Sequence, residues 1–75
     1  MENEYPNEQM TVIEDEGEAL VRERIKKDKN SNSEDVACDV MDILIEKYNL
    51  KHIRDILYLE AVFHSYAAYC KEMLK

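Results

Sequence analysis

Four carboxylates, Asp35, Asp39, Asp42 and Glu46, recur at helical spacing in the middle of the chain. Steps of four, three and four residues put them on one side of an α-helix. Two chemistries are open to such a row. Neighbouring carboxylates can share a divalent cation, but a hard cation wants about six converging oxygens, and one straight helix presents two at a time. A line of negative charge can also imitate the phosphates of a nucleic acid duplex. The plainer reading is a solvated helix face.

The soft-metal ligands are Cys38, Cys70, His52 and His64. No C-x-x-C or H-x-x-x-H spacing joins them, and on a helix His64 and Cys70 fall on different faces. No metal site and no cofactor are expected. Nucleophilic catalysis would need a Cys or Ser beside a base and an oxyanion hole. Both cysteines sit inside predicted helices, no Gly-rich loop offers a phosphate cradle, and the chain has one glycine. The expectation is a non-enzymatic protein with no catalytic residue.

The elements that carry these residues read as follows. The chain has 75 residues, one Gly and one Pro, with 45% apolar and 36% charged residues. So short a chain makes one domain, and so few turn residues argue against an all-β fold. Residues 1–10 are polar and acidic and read as disordered. Thr11-Val12-Ile13 reads as an extended lead-in or the start of a first helix. A domain division follows: an acidic arm over 1–13 and a single helical domain over 14–75.

A first helix is predicted over 14–28, with acids early and bases late, as the helix dipole favours. Glu18–Arg22 and Glu23–Lys27 are acid-first pairs four residues apart. Its apolar surface is thin (Ala19, Leu20, Val21, Ile25), and Gly17 weakens it by about 1 kcal/mol relative to Ala. Ser31 with Glu34 fits a capping box, Ser33 being the alternative cap. A second helix over 33–48 gathers Val36, Ala37, Val40, Met41, Ile43, Leu44, Ile45 and Tyr48 on one side, opposite the acidic row. Asn49 suits a left-handed C-terminal cap.

A third helix is predicted over 51–74. Ile56, Leu59, Val62, Phe63, Tyr66, Cys70, Met73 and Leu74 form its broad stripe, and Ile53, Leu57, Ala61 and Ala68 a thinner second line. His64 falls on its polar side. The fold class is therefore all-α: an antiparallel helical hairpin with a third, weaker N-terminal helix, a small three-helix bundle. In that hairpin Cys38 and Cys70 lie roughly 13 Å apart along the axis, beyond the reach of about 7 Å that a disulfide spans. Both are expected as buried, reduced thiols.

Length bookkeeping gives the functional expectation. The second helix reaches only to about residue 65 of the third. The tail beyond it would overhang, and a thin first helix offers little to cover it. Leu59, Val62, Tyr66, Tyr69, Cys70, Met73 and Leu74 are therefore expected as a partner-binding surface, with tyrosine suited to a surface that alternates between water and a partner. The chain reads as a self-associating regulator or inhibitor, a homodimer or a binder of another protein.

Two alternatives remain. In composition the chain resembles the small, acidic, helical DNA mimics made by phages, with Asp35, Asp39, Asp42 and Glu46 as the mimicking face. The other alternative is a small DNA-binding regulator using Arg22, Arg24, Lys26 and Lys27. The turn between the last two helices puts Lys51, His52, Arg54 and Asp55 where a recognition helix would start. A net charge of −7 argues against nucleic acid as a partner. The acidic start M-E-N-E-Y-P-N-E is unlike a signal peptide and no membrane span is expected, which makes the cytoplasm the default location.

Overall fold

The structure, a computed structural model, describes residues 7–73. It is all-α: α1 (Asn7–Lys27), α2 (Ser33–Tyr48) and α3 (Ile53–Met73). Each helix packs against both others.

α1 differs most from expectation. It starts at Asn7, so Thr11, Val12 and Ile13 are helical, not extended. The expected arm over 1–13 is thus helix from Asn7 onward, while residues 1–6 lie outside the described residues. Three β-branched residues in a row are a poor helix signal, but Ile13 is 2% exposed and joins the core. Tertiary burial overrides the local preference here. Lys26 and Lys27 stand in the last turn, where cations suit the dipole.

The connection at 28–32 is held by its own polar groups. The Asn30 amide donates to Asp28 Oδ1 at 3.1 Å, and the Ser31 hydroxyl donates to the Asp28 carbonyl at 2.7 Å. That engages Ser31, and the cap of α2 is Asn32, whose Oδ1 accepts from the Glu34 amide at 2.7 Å. α2 itself keeps the expected bounds. It ends at Asn49, whose φ of 56° and ψ of 48° are left-handed, as expected. The Leu50 amide then reaches back to the Ile45 carbonyl at 3.1 Å.

Contacts fix the helix directions. Arg24 meets Asp39 and Glu16 meets Lys47, so α1 and α2 run antiparallel. Glu14 meets Tyr58 and Arg22 meets Tyr66, so α1 and α3 run parallel. The core takes Ile13, Val21 and Ile25 from α1, Val40, Met41 and Leu44 from α2, and Leu59, Phe63 and Ala67 from α3. Each fully buried Val, Leu, Ile, Met or Phe among them contributes about 1.5–3 kcal/mol.

Gly17 has a packing role that helix propensity alone does not show. It faces the Phe63 ring so closely that an added Cβ would lie 2.5 Å from Cε1 and 2.8 Å from Cε2, and nearer still to Cζ. The missing side chain is what lets α1 lie against a fully buried phenyl ring.

Candidate functional site

The expected overhang is not bare. α1 and α3 each span 21 residues, so α1 matches α3 in length and its last turns cover α3's second half. Val21 and Ile25 enter the same core as Ala67 and Cys70. Of the seven residues expected as partner surface, Leu59 (0% exposed) and Cys70 (5%) belong to the internal core. Val62 and Tyr66 are half-buried. Tyr69 and Met73 remain out in water at 58% and 65% exposure. Leu74 lies outside the described residues.

What survives is an open groove between α1 and α3, floored by Ala61, Val62 and Ser65 and walled by Tyr58, Tyr66 and Tyr69, with Glu18 on the α1 rim. Tyr58, half exposed, lies outside the seven residues expected as partner surface, but it is one of the three α3 tyrosines whose ring and hydroxyl suit such a surface. The Tyr66 and Tyr69 rings stack at 6.2 Å between centroids. α3 also leaves Ile53 and Leu57 exposed, the thinner second line of the sequence.

The groove's polar groups are ordered by α1. Arg22 Nη1 donates to the Tyr66 hydroxyl at 2.9 Å. Burial pushes that hydroxyl's pKa up, and the neighbouring guanidinium pulls the other way. The Tyr58 hydroxyl is hydrogen-bonded to the Glu14 carboxylate, which raises its pKa. The rim thus holds two ring hydroxyls in place; Tyr58 stays half exposed while the Tyr66 ring is half-buried beside the core.

Other sequence candidates are dispersed. Asp35, Asp39, Asp42 and Glu46 are all exposed along α2; Arg24 pairs with Asp39 at 3.5 Å. Among the described residues no cluster of His, Cys, Asp and Glu converges as a metal site. Both cysteines are free, but only Cys70 is buried; Cys38 is exposed, against expectation. Ile43, expected on the apolar side of α2, is also exposed. His64 is half-buried. Of the basic residues, Arg22 and Arg24 are engaged with Tyr66 and Asp39.

Three contacts that the sequence did not signal lock the bundle. Glu16 accepts from Lys47 Nζ and from the Tyr48 hydroxyl, both at 2.5 Å, which ties α1 to the last turn of α2. Those hydrogen bonds, from Lys47 first and Tyr48 second, hold the Glu16 carboxyl below its ordinary pKa of 4.5. Lys71 Nζ donates to the Ser31 carbonyl, fastening the end of α3 to the first turn.

No described helix is long and apolar enough to cross a membrane. Compared with protein-family models, with curated proteins and with solved structures, the chain matches none.

Proposed function

We propose that the chain is a non-enzymatic protein-interaction module that docks a protein through the α1/α3 groove and acts as a regulator or inhibitor. One observation carries this reading: Tyr58, Tyr69 and Met73 are each more than half exposed on one side of α3, beside a groove with an apolar floor. Burying a large aromatic ring is among the strongest anchors an interface has, and Tyr58 and Tyr69 keep more than half of their surface in water in the isolated chain. The exposed free thiol of Cys38 suits a reducing compartment such as the cytoplasm.

A second reading has its own support. Asp35, Asp39, Asp42 and Glu46 stand exposed in a row on α2, as a nucleic acid mimic requires, although Arg24 neutralises Asp39. Site-specific photocrosslinking in cells separates the two. A crosslinker in place of Tyr69 or Tyr58 is expected to trap a polypeptide, while one in place of Asp42 is not. Trapping from Asp42 alone would favour the mimic, and no product from Tyr58 or Tyr69 would refute the docking groove.

A further inference from the structure

The rim of the groove carries a charge order. Glu14, Glu18, Arg22 and Lys26 follow one another at four-residue steps along α1, one row of the helix surface. Glu14 and Arg22 hold hydroxyls of α3, Glu18 lines the groove, and Lys26 stands exposed one turn further on. Read along α1, the row is acid, acid, base, base.

Such a row is complementary to itself when reversed. We infer that the partner on this α1/α3 face is a second copy of this chain, related by a two-fold axis that crosses α1 and α3 at right angles in the plane of contact. This rests on the docking reading above and names its occupant. The operation lays α1 antiparallel on its copy, so Glu18 faces the copy's Arg22 and Glu14 faces the copy's Lys26. An isologous interface of this kind pairs each residue twice. Arg22 gives one of five guanidinium donors to Tyr66, and the rest remain for a carboxylate. The same axis sets α3 on its copy with Ala61, Ser65 and Ala68, all small and exposed, near the centre. Tyr58 of each copy then lies toward Tyr69 and Met73 of the other.

Net charge opposes association but not at this face. The exposed carboxylates Asp35, Asp42 and Glu46, with Asp39 paired to Arg24, are on α2, which takes no part in this face. Repulsion from there is largely screened, the Debye length being about 8 Å at physiological salt. The available face is modest. A helix of this length runs about 31 Å, and the bundle is 19 Å across. That gives on the order of 600 Å² per copy, the low end of specific interfaces, so the dimer is expected to be concentration-dependent.

The test uses sedimentation equilibrium on the full chain and two row variants. Glu14→Lys with Glu18→Arg makes the row all basic, and Arg22→Glu with Lys26→Glu makes it all acidic. The unmodified chain is expected to dimerise at high micromolar concentration. Each variant alone should dimerise at least about tenfold more weakly, and an equimolar mixture should restore association as a heterodimer. Helical circular dichroism of each variant checks that the bundle is intact. If a variant unfolds, the swap Glu18→Arg with Arg22→Glu, which keeps the charge count, takes its place and is expected to dimerise as the unmodified chain does. A monomeric unmodified chain, or variants that self-associate undiminished, overturns the second-copy inference. A monomer whose Tyr69 still crosslinks to a different protein would do so while leaving the docking function standing.

Discussion

Replacing Gly17 by alanine sets two known effects against each other. Alanine in a helix interior is better than glycine by about 1 kcal/mol, and on that ground alone the substitution stabilises α1. In this bundle the new methyl would lie 2.5 Å from Phe63 Cε1 and closer still to Cζ. The ring is 0% exposed, so it has no open space to swing into. Either the ring leaves its rotamer or α1 moves off α3, and overpacking of this kind costs about 1–3 kcal/mol. Because the overlap is with several ring atoms at once, the upper half of that range applies and the net loss is about 1–2 kcal/mol. At about 4–8 °C per kcal/mol for a domain of this size, Tm should fall by roughly 5–15 °C. Thermal and urea melts followed by circular dichroism at 222 nm would measure it. The same substitution in a Phe63→Leu background should be far milder, with a coupling of about 1 kcal/mol or more, because the atoms it meets are gone. A Gly17→Ala chain as stable as the original, or more so, would show that the close approach of α1 to Phe63 is not what the glycine serves.

Acidification should weaken the α1–α2 connection through Glu16. Its folded pKa is depressed by the bonds from Lys47 and Tyr48, so its contribution is present above the ordinary 4.5 and lost as pH falls through the folded value. Glu16→Gln should therefore lower Tm at neutral pH and flatten its decline in acid; parallel Tm–pH curves for the two proteins would refute this. Asn32→Ala removes the cap on the Glu34 amide and should cost about 1 kcal/mol. Ser31→Ala, which loses only a hydroxyl bond within the turn, should cost less, and the reverse order in denaturant midpoints would return the cap to Ser31.

What was legible in the sequence was what a single helix reveals about itself. α2 came out with its bounds intact because its apolar side, its acidic side and the left-handed Asn49 all agree. The first half of α1 was obscured because Thr11, Val12 and Ile13 favour strand locally, and the burial of Ile13 in the core outweighs that preference. The error at the site had another cause: the few apolar side chains of α1 read as too thin a cover for the tail of α3, whereas Val21 and Ile25 share the core with Ala67 and Cys70. Tyr69 and Met73, expected in the overhanging tail, do stay in water, because they lie at the edge of the α3 stripe that α1 covers. Gly17 was read as a defect, since its use depends on which ring it meets, and one-dimensional patterns do not specify that. The same holds for the bonds of Glu16 and Lys71, which join residues distant in the chain.

The notch at Gly17 also bears on how the bundle chooses among nearly equivalent arrangements. Helices with broad apolar stripes can slide past one another by a turn, about 5.4 Å, and keep most of their burial. Here a shift of α1 by one turn in either direction would bring Ile13 or Val21 onto the Phe63 ring, where there is room for neither. The absent side chain works as a keyhole that admits a single axial setting, and so it allows a chain with only one glycine to hold one phase of packing against its competitors.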